Sequence, residues 1–300
     1  MIRKAIIPAA GYGTRLLPIT KILPKVMIPL LTKPALQYIV EELVSAGISE
    51  ILIVIGWKGD IIQEYYQRDP VEMIDWLRAR GREDLITYIK SIIPKECRIM
   101  FKIQEVLDGL AGAILRGSYF LQSESFVVSL GDNVIIEDNV GSLIRDMIKV
   151  HETYNSAVTL CVAEVPKKEV SKFGVIGFSK SFEMNGIKVY EVTKVVEKPP
   201  PEKAPSNLAI VGRYILSTDS LKYLRNAPIV KGELSETDAF QNMINDGYKV
   251  FAVNIGNRHW HDIGSPEGYI KAFLDIAINY EKHLKPIIRN WLQDKILNLD

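Results

Sequence analysis

Alternating buried runs and amphipathic segments predict an α/β fold, with a mixed, mostly parallel sheet flanked by helices. Short uninterrupted apolar runs such as Ile51 to Ile55 suit strands that are covered on both faces. Between them lie segments whose apolar residues recur at helical spacing. A third pattern is positional: glycine-rich or polar loops follow the apolar runs, and parallel sheets bind ligands beyond the carboxyl ends of their strands.

Lys4 to Pro8 reads as the first strand, and it breaks into the turn Ala9-Ala10-Gly11-Tyr12-Gly13-Thr14-Arg15. Ala35 to Ala46 carries Leu36, Ile39, Val40, Leu43 and Val44 at helical spacing and stops at Gly47, a suitable residue just past a helix end. Ile51 to Ile55 is the next strand. Residues 66–95 form a polar, helical-looking insertion broken at Asp69-Pro70 and Gly81. Met100 to Gln104 is a strand, Gly109 to Gly117 a helix, and Phe126 to Leu130 a strand that closes on Gly131-Asp132. Such alternation implies right-handed crossovers between parallel strands.

Further strands are expected at about Ala157 to Ala163, Gly174 to Phe178, Tyr190 to Val196, Leu208 to Leu216 and Lys249 to Asn254, with a helix at Glu236 to Asn245. The Pro199-Pro200-Pro201 run separates two strands rather than two domains, so residues 1–300 read as a single domain. A helical region covers about 266–300. Its apolar residues from Ile270 to Leu292 suit either core packing or a helical contact between copies, and a homo-oligomer is expected.

Composition removes several classes. With 300 residues and 47% hydrophobic content the chain can bury a large core. Its 37 basic and 36 acidic residues leave a net charge of +1, without the basic excess of a nucleic-acid binder. No run approaches the roughly 18 apolar residues of a membrane span. Met1-Ile2-Arg3-Lys4 leads straight into a strand with no signal-peptide pattern, so a cytoplasmic protein is expected. Cys97 and Cys161 lie far apart in apolar contexts and read as buried free thiols.

The strand-end loops hold the chemistry. Glycines let backbone N–H groups close on a phosphate, and Arg15 with Lys25 can neutralise a triphosphate. Gly11-Tyr12-Gly13 lacks the third glycine of a dinucleotide turn, and no Walker A loop is present. Gln104 could pair in a bidentate way with the N3–H and O4 edge of uracil or thymine, with Gly109 giving a flat base room. Asp132 ends a strand and could hold Mg²⁺, with Asp262 as a second carboxylate. His259 and His261 flank Trp260 in the same stretch, but strand alternation and the lack of a nearby cysteine argue against a zinc site. Glu197 could accept hydrogen bonds from sugar hydroxyls, while Lys198 faces a phosphate.

AAGYGTRLLPITKILPK, QEVLDGLAGA, LGDN, FGVI, EKP, SNLAIVGRY, GELSETDA and HDIG occur in that order from end to end. The series resembles the sugar-1-phosphate nucleotidyltransferases, and within them the bacterial-type UTP–glucose-1-phosphate uridylyltransferases. TK-x-x-PK-x-M-x-P at Thr20 to Pro29, the helical insertion and APSNLAIVGRY at Ala204 to Tyr214 match that subgroup. Two features depart from it. Val26 stands where the subgroup usually has Glu, and Asp108-Gly109-Leu110-Ala111 and Leu130-Gly131-Asp132-Asn133 look more like thymidylyltransferase relatives.

The resemblance implies a Rossmann-like nucleotide-diphospho-sugar transferase fold and transfer of a uridylyl group from UTP to glucose 1-phosphate. Ala9, Ala10, Gly11, Gly13 and Thr14 would line the nucleotide, with Gln104 and Gly109 reading the base. Arg15, Lys25 and Lys198 would be the catalytic cations. Gly174, Glu197 and Val211 would contact the hexose, and Asp132 and Asp262 would hold Mg²⁺. The thymidylyl departures leave dTTP as an alternative nucleotide. A non-catalytic nucleotide-sugar sensor would be expected to lack Lys25 or Asp132, and a nicotinamide oxidoreductase would need the missing glycine.

Overall fold

The computed structural model describes residues 2–296 other than 94, 123 and 282. Its principal elements in the first half are β1 (Lys4–Ala9), α1 (Ala35–Ser45), β2 (Glu50–Ile55), α2 (Gly59–Gln67), α3 (Val71–Arg78), α4 (Glu83–Lys90), β3 (Arg98–Ile103), α5 (Gly109–Arg116) and β4 (Phe126–Ser129). Then come β5 (Asn133–Ile136), α6 (Ser142–Thr153), β6 (Val158–Glu164), β7 (Gly174–Met184), β8 (Ile187–Glu197) and β9 (Leu208–Leu216). The last are α7 (Ser220–Arg225), α8 (Glu236–Asn245), β10 (Val250–Asn254), β11 (His259–Asp262), α9 (Pro266–Asp275) and α10 (Lys285–Ile296).

Nine strands make one sheet in the order β3-β2-β1-β4-β9-β6-β10-β8-β7. The apolar runs explain it: residues of β1 and β2 alternate between the sheet's two faces, and both faces are covered. Ala5, Ile7, Ile51 and Ile53 join the core under α1, whereas Ile6, Leu52 and Val54 join the core under α5. Leu36, Ile39, Val40 and Leu43 supply the apolar face of α1. Gly47, at φ 94°, follows its last turn in the left-handed conformation expected there.

The α/β class and the flanking helices agree with the sequence reading, but parallel pairing is confined largely to the first half. β1, β2, β3 and β4 are parallel neighbours; β9 runs antiparallel to β4 and β6, and β7 to β8. The reason is local. Asn185 and Gly186 both have positive φ, 54° and 79°, which makes a two-residue turn that folds the chain straight back on itself. The expected strands Gly174 to Phe178 and Tyr190 to Val196 thereby extend into the arms of one long hairpin.

The insertion is a helical hairpin, α3 and α4, with its own small core of Ile74, Leu77 and Ile86. Helix α2 precedes it and was not foreseen. Also unforeseen is a separate two-stranded sheet in which β5 pairs antiparallel with β11, Asp262 opposite Asn133. Cys97 and Cys161 are buried and free. Among the described residues no helix is long and apolar enough to cross a membrane.

Candidate active site

Four parallel strands end at one edge of the sheet, and backbone hydrogen bonds stitch the loops that follow them. The Gly131 N–H donates to Pro8 O at 3.2 Å, and the Gln104 N–H donates to Ile55 O at 2.8 Å. The turn after β1, the loop after β3 and the loop after β4 therefore leave the sheet side by side.

In the first loop Gly13 is left-handed, at φ 65°, and a Cβ there would lie 2.9 Å from Lys25 Cβ. Only glycine lets Lys25 pack this closely against the turn. Thr20 Oγ1 donates to Gly13 O at 3.0 Å and holds the turn from the other side. Ala9 and Ala10 are buried beneath the loop, while Gly11, Thr14 and Arg15 face solvent. Val26 has no exposed surface and belongs to the core. A 3₁₀ turn over Lys25–Met27 directs Val26 inward and leaves the Lys25 side chain on Asp132. The departure from Glu thus serves packing: Val26 lies against Gly131, beside Asp132.

Asp132 and Asp262 meet because β5 begins right after Asp132 and pairs with β11. The Ile263 N–H donates to Asp132 O at 2.9 Å, which closes the ladder at this point. Between the two carboxylates sits Gly264. A Cβ there would lie 2.8 Å from Arg15 Nη2, 2.9 Å from Asp262 Oδ1 and 3.2 Å from Asp132 Oδ2, so the space is open for a ligand only because the residue is glycine. Arg15 is 3.8 Å from Asp262.

The two carboxyls are driven in opposite directions. Burial disfavours charge on Asp132, but Lys25, followed by a hydrogen bond from Asn133, holds it below the usual carboxylate range. Asp262 is raised, by burial and then by the negative charge of Asp132, against the Gly264 N–H and Arg15. Two oxygen donors that repel each other form a donor set suited to a hard divalent cation. A relay fixes the nearer one: Trp260 Nε1 donates to Asn133 Oδ1 at 2.6 Å, and Asn133 Nδ2 donates to Asp132 Oδ1 at 3.1 Å. The Trp260 bond fills the amide oxygen, so the amide nitrogen must point at the carboxylate.

The same cleft reaches the candidate sugar residues. Arg15, Asp132 and Asp262 line it together with Gly174, Glu197 and Lys198. Lys198 bonds Glu197 at 2.8 Å, and that hydrogen bond raises its pKa. Lys198 also has φ 43°, a conformation that costs a residue with a side chain about 1–2 kcal/mol. Strain of this kind concentrates at functional sites. Gly174 lies beside Glu197, in the same wall.

Two expectations need correction. Val211 is fully buried in the core and is absent from the cleft wall, which is formed there by Ile210 and Gly212. Alternation along β9 sends its side chain to the opposite face. Gln104, 6% exposed, donates from Nε2 to Asp108 Oδ1 at 2.8 Å and to Gly109 O at 3.2 Å. Both amide hydrogens are thus used within the protein, and the bidentate pairing is reduced to one acceptor, Oε1, which suits the N3–H of a uracil or thymine ring. Arg116 clamps the far side of Asp108 at 2.6 Å. Gln104 and Gly109 stand outside the wall just described, although Gly109 abuts Glu233 in the segment leading to α8.

Residues missed by sequence reasoning include Glu236, Thr237 and Trp260, all in the cleft wall. Burial pushes the Glu236 carboxyl up to about 7. Their signals were present: Glu236 and Thr237 directly follow Ser235, the N-cap of α8, and Trp260 shares the strand face of Asp262. Tyr214 is buried in the same wall, and burial carries its hydroxyl well above the usual phenol range.

The model of the Nucleotidyl transferase family matches residues 4–279. The UTP–glucose-1-phosphate uridylyltransferase of Pseudomonas aeruginosa is 38% identical, over 91% of this chain and 95% of that protein. A solved UTP-bound UGPase from Acinetobacter baumannii is similar over the full length of both chains, with 31% identity and a TM-score of 0.88. A solved UDP-glucose pyrophosphorylase complexed with UDP-glucose is 36% identical over 94% of this chain and all of that one, with a TM-score of 0.81.

Proposed function

The chain belongs to the nucleotidyl transferase family, and from that premise we propose that it transfers the uridylyl group of UTP to glucose 1-phosphate, yielding UDP-glucose and pyrophosphate. The observation that carries the reading is the meeting of two half-sites in one cleft. Arg15, Asp132 and Asp262 lie close together, Gly174, Glu197 and Lys198 likewise, and all six line the same cleft. A cleft so divided suits two phosphorylated substrates whose phosphates meet in the middle.

A phosphate oxygen of glucose 1-phosphate attacks the α-phosphorus of UTP; the bond from that phosphorus to the β-phosphate bridge breaks, and its electron pair leaves with pyrophosphate. The nucleophile is already an anion, so no residue has to remove a proton. What the chain must do is align two anions and offset their repulsion. Backbone N–H groups of Ala10 to Thr14 and the Arg15 guanidinium hold the triphosphate. Lys25 stands at the reacting centre, and Lys198 holds the sugar phosphate. Glu197 accepts hydrogen bonds from the hexose, and Gln104 Oε1 accepts from the base. Asp132 and Asp262 would hold Mg²⁺, which when bound there supplies positive charge to the phosphate oxygens.

We propose further that residues 1–300 act as one domain in the cytoplasm and that copies associate. Exposed apolar side chains at Ile270, Ile287 and Trp291 offer a surface for that contact. Pyrophosphate release with UTP and with dTTP, each crossed with glucose 1-phosphate and galactose 1-phosphate, tests the substrate assignment. UTP with glucose 1-phosphate is expected to turn over fastest; a preference for dTTP assigns the thymidylyl reaction instead.

A further inference from the structure

Strand β11 turns one face to the cleft and the other away from it. Trp260 and Asp262 line the cleft. His259 and His261, in alternate positions, share the opposite face. There both meet Asp275, the last residue of α9. His259 Nδ1 lies 2.7 Å and His261 Nε2 2.6 Å from the same oxygen, Asp275 Oδ2. One potential ligand atom from each residue falls within 4.8 Å of the others. Asn279 donates to the second oxygen, Oδ1, and so fixes the plane of the carboxylate. The His261 and Asp275 side chains are only 14% and 13% exposed, whereas that of His259 is 56% exposed. The group therefore has two largely buried donors, one exposed donor and an open side, where Asp138, Asn139 and Asn279 line a surface hollow.

We propose that His259, His261 and Asp275 form a second metal site, for a borderline divalent transition ion with zinc as the best match. Two imidazoles and one carboxylate with free positions are a zinc donor set, whereas Mg²⁺ takes oxygen ligands. The local sequence conceals it, because the third donor comes from a different element. Zinc bonds of about 2.0–2.2 Å separate tetrahedral ligand atoms by roughly 3.3 Å, so each ring nitrogen must back away from Oδ2 by less than about 1 Å. The exposed His259 ring can swing that far. An ion there would tie β11 to the end of α9 and hold the strand that carries Asp262. Metal uptake here would be measured whether or not the cleft carries uridylyl transfer.

The test uses the full chain, stripped with a chelator and kept in millimolar Mg²⁺ to occupy the all-oxygen pair. Zinc is titrated against a chromophoric chelator, and cobalt(II) separately as a spectroscopic probe. One equivalent of zinc should bind, and cobalt should give the intense visible bands of a four-coordinate ion. His259→Ala and Asp275→Asn should each weaken zinc at least tenfold, since loss of an outer-shell partner alone costs about 10–100-fold. No uptake by the unaltered protein, undiminished uptake in the variants, or a weak six-coordinate cobalt spectrum would overturn the proposal. If Asp275→Asn does not fold, the cobalt spectrum and His259→Ala, at an exposed position, decide.

Discussion

Breaking the buried ion pair between Arg213 and Glu42 should unfold this protein at a markedly lower temperature. Arg213 has no exposed surface, and the Glu42 side chain is 3% exposed. The guanidinium gives Glu42 three contacts: Nε at 3.1 and 3.2 Å, and Nη2 at 2.6 Å. Nη1 donates to Gly212 O at 3.0 Å and Nη2 to Asn133 O at 2.8 Å. Replacing Arg213 by Met removes all of these and leaves buried Glu42 without a hydrogen-bonded cation, offset only by the charge of Arg258. Removing one partner of such a pair costs about 3–5 kcal/mol. An unfolding entropy of about 2.1 cal/mol/K per residue, over 300 residues, makes 1 kcal/mol worth about 1.6 °C. Arg213→Met should therefore lower the midpoint by about 5–8 °C in a thermal melt followed by circular dichroism. The double variant Glu42→Leu/Arg213→Met should recover most of the loss, because a buried pair and a packed apolar pair are close in free energy. A drop below about 2 °C for the single variant, or no recovery in the double, would refute the reasoning. Activity adds a second readout: Arg213 bonds the backbone of Asn133, whose side chain orients Asp132.

Gly13→Ala puts a Cβ into a left-handed position and against Lys25; about 1–2 kcal/mol of stability should be lost, and turnover should fall with it, as a melt and a pyrophosphate-release assay would reveal. Gln104→Ala removes the acceptor for the base, so KM for UTP should rise by about tenfold, the equivalent of a 1.4 kcal/mol hydrogen bond, with a smaller change in KM for glucose 1-phosphate. Glu236, whose carboxyl burial raises from its ordinary 4.5 to about 7, takes up a proton on folding. Its contribution to stability is full below pH 4.5 and is lost as pH rises through 7. Melting temperatures of Glu236→Gln across that window should fall less steeply with pH than those of the unaltered chain; identical slopes would count against this role.

Much of this architecture was legible because its causes are local. The β-branched run Ile51 to Ile55 could only be a doubly covered strand, and helix α8 begins and ends where its spacing required. The hairpin of β7 and β8 is marked by Asn185-Gly186, whose positive φ angles fold the chain straight back on itself. Other features depend on distant partners. Nothing near Asp262 announces that β11 pairs with β5, yet that pairing is what sets it beside Asp132. Val211 was expected at the hexose only through the family resemblance; strand phase decides otherwise, and a one-residue shift reverses the face. Gln104 is placed by sequence where a base reader is expected, but its amide hydrogens go to Asp108 and Gly109, a choice visible only in three dimensions. Val26 looked irregular beside its relatives and is instead core packing beneath the Asp132 loop.

Lys25, held against Asp132, is proposed to work at the centre of uridylyl transfer. Pyrophosphate release from UTP and glucose 1-phosphate by Lys25→Ala, measured beside UTP affinity from calorimetry, addresses it directly. Turnover should fall by about a hundredfold or more, in line with the loss of about 2.7 kcal/mol or more when one positioned transition-state donor is removed, while the Kd for UTP changes by less than about tenfold. A variant that binds UTP poorly yet turns over normally at saturation would contradict the account.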